Sequence, residues 1–194
     1  MDRHTINLEF FASYELFEQI PSLNCQEIAF VGASNSGKSS AINLLANNKK
    51  LSYTSKKPGK TKLFNYFKKD NNFIVDFPGY GFANISKSQI KSWQKELPRY
   101  FEERENLKYA FLFIDSNSFY KSKKIKETDI QMIEYLNKLN LPFHIVLTKI
   151  DKLKNGQIIK VSKNFEENFQ SFYLLSNKDI GLVTTLAKKI DKLI

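Results

Sequence analysis

Gly32, Gly37, Lys38 and Ser39 have the spacing of a phosphate-binding loop, G-x-x-x-x-G-K-[ST]. The two glycines allow the backbone to turn tightly and to bring its N–H groups against phosphate oxygens. The lysine of such a loop reaches the β- and γ-phosphates of a nucleotide, and the serine hydroxyl binds Mg2+. The motif has this meaning only between a strand and a helix, and the flanking residues predict both. A loop rich in glycine and serine that binds nothing is the alternative.

Asp76 and Gly79 belong to a second motif, D-F-P-G, at the end of the apolar run F-I-V-D. Open α/β sheets bind ligands at the carboxyl ends of their strands. We therefore expect the Asp76 carboxylate to hold Mg2+ through water and the Gly79 N–H to meet a γ-phosphate. Thr61 lies between the two motifs and follows P-G-K in a polar, basic stretch. Its hydroxyl is expected to complete the Mg2+ shell and to sense the γ-phosphate, as in nucleotide switches.

The residues T-K-I-D, Thr148 to Asp151, follow another apolar run and are typical of a loop that reads guanine. The Asp151 carboxylate can accept hydrogen bonds from N1–H and N2–H2 of guanine, and adenine lacks this pair of donors. The stem of Lys149 can cover the base. An aspartate that caps a helix beside a solvated lysine is the alternative interpretation. Ser176 and Asn177 follow the last predicted strand, where backbone N–H groups are expected to contact guanine O6.

Together these motifs predict a nucleotide site in which Lys38, Thr61 and Gly79 serve catalysis. Mg2+ is expected on Ser39, on Thr61 and, through water, on Asp76. The complete set of predicted nucleotide-binding residues consists of Gly32, Ala33, Ser34, Asn35, Ser36, Gly37, Lys38, Ser39, Ser40, Pro58, Gly59, Lys60, Thr61, Asp76, Phe77, Pro78, Gly79, Thr148, Lys149, Asp151, Leu175, Ser176 and Asn177.

Short apolar runs alternate along the chain with segments of helical period. They predict strands at 27–31, 62–68, 73–76, 109–115, 143–148 and 171–175, and helices at 39–46, 86–104, 125–139, 158–169 and 182–194. This alternation indicates an α/β fold, a doubly wound and mostly parallel sheet of six strands with helices on both faces. Residues 27–194 are expected to form one nucleotide-binding domain. A lead-in segment, 1–26, precedes it, and its sequence does not decide between strand and helix.

The composition is that of a globular chain with a strong positive charge. Its 194 residues include 30 Lys and Arg against 20 Asp and Glu, a formal net charge of +10. This excess favours a polyanionic partner such as nucleic acid, but a lysine bias that maintains solubility explains it equally well. The single cysteine, Cys25, excludes a disulfide framework. No apolar run is long enough to span a bilayer and the charged N-terminus does not resemble a signal peptide, so we expect a cytoplasmic protein that contacts no membrane.

The order of the motifs, G-A-S-N-S-G-K-S, P-G-K-T, D-F-P-G-Y-G and T-K-I-D, is similar to that of translation-associated P-loop GTPases. From about Glu27 to the C-terminus, the chain resembles the EngB/YsxC (YihA) family of ribosome-biogenesis GTPases. The resemblance implies a Ras-like fold, Mg2+-dependent binding of GTP and GDP, and slow hydrolysis of GTP. It also implies a role in assembly of the large ribosomal subunit, with rRNA and ribosomal proteins as partners. We expect the protein to be a monomer. Leu175 stands where the final motif of the family is expected to have a serine.

Slow hydrolysis is also expected from the residues themselves. Tyr80 stands where Ras-like enzymes carry a glutamine that orients water, and neither the phosphate loop nor residues 47–61 contain an arginine. In related GTPases with an asparagine at the position of Asn35, a potassium ion takes the place of an arginine finger, so we expect K+ near Asn35. A GTP-holding assembly scaffold with negligible hydrolysis and a P-loop GTPase of another RNA-related or cell-division process are the alternatives. Asp151 disfavours an ATP-using kinase.

Lysines cluster at 49–68, at 121–126 and near the C-terminus. The first cluster contains Thr61, so GTP is expected to make RNA affinity depend on the nucleotide by positioning four lysines together, Lys56, Lys57, Lys60 and Lys62. The sequence contains no motif that reads the bases of RNA, which favours recognition of RNA shape and phosphates.

Overall fold

The computed structural model of the chain describes residues 3–53, 63–80, 87–169 and 171–194, with the backbone alone for 87–94. Its strands are β1 (Glu9–Tyr14), β2 (Glu27–Gly32), β3 (Phe64–Lys69), β4 (Asn72–Asp76), β5 (Leu107–Asp115), β6 (Phe143–Thr148) and β7 (Phe172–Leu174). Its helices are α1 (Lys38–Leu45), α2 (Lys87–Glu103), α3 (Ser116–Ser122), α4 (Glu127–Lys138), α5 (Asn155–Asn168) and α6 (Ile180–Asp191). Short 3₁₀ turns lie at Phe17–Gln19 and Ile150–Lys152.

The described strands form one seven-stranded sheet in the order β1-β3-β4-β2-β5-β6-β7. β2 is parallel to β4 and to β5, and β6 is parallel to β5 and to β7. β3 is antiparallel to both β4 and β1. The expected α/β architecture with a mostly parallel sheet is therefore confirmed, but the predicted number of six strands is wrong. The additional strand, β1, lies in the lead-in segment and forms one edge of the sheet.

The hydrophobic core is divided between the two faces of the sheet. Successive residues of a strand point to opposite faces, and in β2 the side chains of Ile28 and Phe30 belong to the cluster that contains α1 and α6. Ala29 and Val31 belong to the other cluster, under α2 to α5. All four side chains are at most 1% exposed, which explains why the sequence of β2 is a continuous apolar run.

The predicted helices are present, with ends that differ by one to three residues. α5 and α6 begin at Asn155 and Ile180, earlier than expected, and the predicted cap of α2, Ser86, lies outside the described residues. α3 was not predicted from the sequence. It begins directly after Asp115, whose carboxylate accepts hydrogen bonds from the N–H groups of Asn117 and Ser118 at 3.0 and 3.1 Å.

Among the described residues, none of the helices combines the length and the apolar character that a membrane crossing requires.

Candidate functional site

Four neighbouring parallel strands end at the same edge of the sheet, and each brings a residue of interest to that edge. β4 ends with Asp76, β2 with Gly32, β5 with Asp115 and β6 with Thr148. In open α/β sheets this carboxyl edge is where ligands bind. The topology therefore brings three motifs that are far apart in the sequence to one place.

The predicted phosphate loop connects β2 to α1. Asn35 and Gly37 adopt positive φ angles of 60° and 105°, and such alternation lets successive N–H groups face one concavity. Gly32 allows a close approach, because a Cβ atom on this residue would lie 2.5 Å from the carbonyl oxygen of Phe113. The loop is also tied internally by a hydrogen bond of 3.1 Å from the Ser36 N–H to the Ala33 carbonyl.

Lys38 is the first residue of α1, and its side chain folds back over the loop. Its Nζ donates to the carbonyl oxygens of Gly32 and Ala33 at 2.9 and 3.2 Å. Burial lowers the pKa of Lys38, while the nearby charges of Asp76 and Asp129 raise it. The ammonium is thus held inside the concavity of the loop, beside the N-terminus of a helix, where an anion is favoured.

Asp76 and Ser39 lie next to each other on the other side of this concavity. The Ser39 hydroxyl donates to Asp76 Oδ2 at 2.7 Å. The second carboxylate oxygen, Oδ1, is buried and has no hydrogen-bond partner among the described residues. Burial raises the pKa of Asp76, and Lys38 and Ser39 lower it. A hydroxyl beside a carboxylate oxygen that lacks a partner fits the oxygen ligands of Mg2+.

The segment that follows Asp76 passes over the phosphate loop. The Phe77 N–H donates to the Phe30 carbonyl at 3.0 Å, which extends the pairing of β4 with β2. Phe77 and Pro78 are buried, and the Phe77 ring packs on Tyr100 in the core. Gly79 lies against the loop itself. Phe77 and Pro78 therefore position the segment, and Gly79 approaches Lys38.

The T-K-I-D motif contacts the phosphate loop through its first two residues. The Thr148 hydroxyl donates to the Ser36 carbonyl at 2.5 Å, and Thr148 is only 2% exposed. Lys149 has a φ of 59°, and its Nζ donates to the Asn35 carbonyl at 2.5 Å. The Asp151 side chain is partly exposed at the rim of the site. Thr148 and Lys149 thus fix the loop, and Asp151 is accessible to a base.

The region after β7 differs in part from the expectation. The Leu175 N–H donates to the Leu147 carbonyl at 2.8 Å and continues the sheet. This N–H is therefore used by the sheet, and the assignment of Leu175 to the nucleotide site remains a prediction. Ser176 is buried, with 4% of its surface exposed. The Asn177 N–H points to Asp151 Oδ1, and the distance of 3.4 Å between N and Oδ1 is long for a hydrogen bond.

Pro58, Gly59, Lys60 and Thr61 lie outside the described residues, as do Lys56, Lys57 and Lys62. The assignments of Thr61 to Mg2+ and to catalysis remain predictions. Ser40 follows Ser39 in the first turn of α1 and is partly exposed at the same edge.

Comparison with known proteins bears on the identity of the chain. Residues 27–149, more than half of the chain, match the model of a family described as 50S ribosome-binding GTPases. A probable GTP-binding protein EngB of Flavobacterium psychrophilum is 46% identical over 189 residues, which cover 92% of this chain and 90% of the relative. The chain belongs to the EngB family of GTP-binding P-loop GTPases. The EngB protein of Aquifex aeolicus is 39% identical over 160 residues, with 81% and 83% of the two chains covered.

Solved structures show the same fold. A crystal structure of a probable EngB protein superimposes with a TM-score of 0.65 at 24% identity and covers 87% of this chain and 98% of the other. Era, bound to MgGDPNP and to nucleotides 1506–1542 of 16S ribosomal RNA, gives a TM-score of 0.63 at 20% identity over 89% of this chain and 57% of its own.

Two residues at this site were not predicted from the sequence. Asp115 accepts a hydrogen bond from Lys149 Nζ at 2.6 Å and so joins the end of β5 to the T-K-I-D motif. Asp129, in the first turn of α4, accepts a hydrogen bond from the Tyr80 hydroxyl at 2.7 Å and is only 2% exposed. A carboxylate at the end of an apolar strand was a signal for Asp115. No pattern in the sequence singles out Asp129.

Proposed function

We propose that this EngB-family protein is a GTP-gated switch that hydrolyses GTP slowly and assists assembly of the large ribosomal subunit. The observation that carries the proposal is the meeting of Lys38, Ser39 and Asp76 at the carboxyl edge of the sheet, with one buried carboxylate oxygen unpaired among the described residues. This arrangement provides a cation for phosphates and oxygen ligands for a divalent metal within one concavity.

The phosphates are held by the loop and by the first turn of α1. The N–H groups of the loop and the start of the helix attract phosphate oxygens. Lys38, now bound to two carbonyls of its own loop, exchanges these weak partners for phosphate oxygens when a nucleotide enters. Ser39 and Asp76 would hold Mg2+, with Thr61 as the predicted third contributor. The metal, when bound there, neutralises charge on the β- and γ-phosphates.

Guanine is selected by Asp151 in this proposal. Lys149 holds the base-reading motif by its bonds to the Asn35 carbonyl and to Asp115, so the position of Asp151 relative to the phosphate loop is fixed. A carboxylate placed to receive two donors of guanine rejects a base without them, because its oxygens would lose their hydrogen bonds with water and gain none. Asn177 lies next to Asp151 and remains a proposed contact.

Slow hydrolysis of GTP is supported by the described residues near Gly79, which include no side chain suited to orienting the attacking water. Tyr80 replaces the water-orienting glutamine of Ras-like enzymes, and its hydroxyl is engaged with Asp129. We also propose that the exposed side chain of Asn35 helps to hold K+ beside the phosphates, in place of an arginine.

Association with the large ribosomal subunit is supported by the family description and by charge. The matching family is described as binding the 50S ribosome, and the solved structure of Era contains ribosomal RNA. In this chain a lysine cluster extends from the last turn of α3 through the turn between α3 and α4, next to the phosphate loop. All of its members are exposed, and they are Lys121, Lys123, Lys124 and Lys126. Phosphate contacts by such lysines fit recognition of folded RNA by shape. A cytoplasmic monomer is part of the proposal.

Turnover of GTP with and without purified large subunits tests the proposal against its alternatives. We expect slow hydrolysis that is specific for GTP over ATP and that accelerates on the particles. Negligible hydrolysis in both conditions would favour a scaffold that only holds GTP. GTP hydrolysis at the same rate with and without the particles would favour another RNA-related or cell-division process.

A further inference from the structure

The segment Gly79–Tyr80 is paired with the phosphate loop. Ala33 and Tyr80 form an isolated parallel β-bridge beyond the ends of β2 and β4. The Ser34 N–H donates to the Tyr80 carbonyl at 3.0 Å. One backbone donor of the loop is therefore occupied by the protein itself, and the segment is held alongside the residues that would face the terminal phosphate.

The contact at Gly79 leaves very little space. A Cβ atom on this residue would lie 2.8 Å from the Ser34 Cα and 3.2 Å from Lys38 Nζ. The distance to the Ser34 backbone is too short for even one methyl group on that side of Gly79, and the Lys38 ammonium lies in tight contact beside it. A phosphoryl group is larger than a methyl group, so a phosphate cannot enter between Gly79 and the loop at Ser34 unless the segment moves away.

Asp129 holds the segment in this position from the other side. The Tyr80 hydroxyl donates to Asp129 Oδ1 at 2.7 Å, and the carboxylate is almost completely buried. A hydrogen bond to a buried charged acceptor is stronger than one between neutral groups. Burial lowers the pKa of Lys38, and the charge of Asp129 offsets part of this effect. Asp129 thus stabilises the same ammonium that a γ-phosphate would use.

We propose that the hydrogen bond between Tyr80 and Asp129, here called the Tyr80 latch, holds Gly79 against Lys38 and so opposes binding of GTP relative to GDP. The proposal rests on the proposed function, since it concerns regulation of the same site. GDP has no γ-phosphate and leaves the latch closed. GTP must open it, and the free energy of opening reduces the apparent affinity for GTP.

The hydroxyl of Tyr80 can be removed without removing its packing. The ring contacts the hydrophobic core that contains α2 to α5, and phenylalanine keeps these contacts. Tyr80→Phe therefore deletes the latch alone. Tyr135→Phe is a matched control, because Tyr135 lies in the same helix as Asp129 and donates to Glu102 Oε1 at 2.9 Å, away from the phosphate loop.

The test is calorimetric titration of GDP and of a non-hydrolysable GTP analogue into the wild type and both variants. We expect Tyr80→Phe to raise the affinity for the analogue roughly tenfold, the effect of one hydrogen bond to a charged acceptor. Its affinity for GDP should change by less than about twofold, since GDP binds without opening the latch. Tyr135→Phe should leave both affinities unchanged. Asp129→Asn, which weakens the acceptor, should shift the ratio of the two affinities in the same direction as Tyr80→Phe.

An unchanged ratio of the two affinities in Tyr80→Phe would overturn the latch, as would a loss of affinity for the analogue. If Tyr80→Phe does not fold, Asp129→Asn decides by the same ratio. Failure of the wild type to bind either nucleotide would instead overturn the proposed function, so the two failures are distinguishable.

Discussion

Asp151 carries the choice of base at the scale of single residues. In Asp151→Asn one of the two acceptor oxygens becomes an NH2 donor. The amide then opposes the N2–H2 group of guanine and matches the carbonyl of xanthine. We expect the variant to lose affinity for GTP by up to about 10⁴-fold and to gain affinity for xanthosine triphosphate, as sites built on hydrogen bonds do. Competition titrations with the two nucleotides measure the exchange.

Asp70→Asn is the control for this substitution. Asp70 lies in the turn between β3 and β4, has a φ of 54° that asparagine tolerates, and has an exposed side chain. The affinity of the Asp70→Asn variant for GTP should equal that of the wild type. Retention of wild-type GTP affinity by Asp151→Asn would show that another residue reads the base.

The residues that could be predicted from the sequence are those that belong to continuous motifs. Lys38, Ser39 and Asp76 have fixed local spacings, and the structure brings them together. Asp129 could not be predicted, because its contact with Tyr80 joins residues that are 49 positions apart and depends on the packing of α4. The position of Leu175 in a motif could not reveal that its N–H is used by the sheet, because that bond depends on the pairing with β6.

At the scale of elements, a buried ion pair fixes the end of α2 to the start of β2. Arg104, directly after α2, donates to the fully buried Glu27 carboxylate, with the shortest contact at 2.6 Å from Nη2 to Oε1. Tyr100 adds a hydrogen bond of 2.7 Å to Glu27 Oε2. Removal of one partner leaves an uncompensated buried charge, so Arg104→Gln should lower the free energy of unfolding by about 3 kcal/mol. Urea denaturation measures this loss.

Arg99→Gln is the matched control in the same helix. Arg99 pairs with Glu18 and Glu103 at the surface and lies 5.0 Å from the centroid of the Phe17 ring. Exposed pairs contribute little, so the loss should be much smaller than that of Arg104→Gln. Equal losses in both arginine variants would contradict the role of the buried pair.

Two elements were missed in the sequence, for different physical reasons. β1 contains an irregularity in its pairing with β3 between Phe10 and Ala12. A bulge breaks the alternation by which a strand is recognised. α3, with seven residues, is too short for helical periodicity to show. Asp115 caps it, and a cap is recognisable only when the following residues already predict a helix. The parallel strands were predictable because burial on both faces makes them continuous apolar runs.

At the scale of the whole molecule, the proposed K+ site predicts a dependence of turnover on the monovalent cation. GTP hydrolysis should be at least roughly tenfold faster in KCl than in NaCl of equal concentration, because K+ takes the role of an arginine finger, which raises the rate of hydrolysis by about 10³–10⁵-fold. Asn35→Ala should lose most of this difference, and Asn164→Ala, on the exposed face of α5, should keep it. Equal rates of GTP hydrolysis in the two salts would contradict the proposed K+ site.

Binding to the large ribosomal subunit depends in this account on charge and on the nucleotide. The lysine cluster in the last turn of α3 and the turn between α3 and α4 supplies phosphate contacts, so the double variant Lys121→Glu, Lys124→Glu should bind the particles less tightly. Lys160→Glu, Lys163→Glu, a double variant on the exposed face of α5, is the matched control. Wild-type affinity should also fall with salt, with a log–log slope of roughly −0.7 to −0.9 for each phosphate contact.

The most direct test of the central claim is co-sedimentation of the wild-type protein with purified large ribosomal subunits in the presence of GDP or of a non-hydrolysable GTP analogue, repeated across a salt series. The account predicts that more protein sediments with the particles under the analogue than under GDP at every salt concentration, because the γ-phosphate must open the segment at Gly79. Equal binding under the two nucleotides, or no binding under either, would contradict a GTP-gated role on the large subunit.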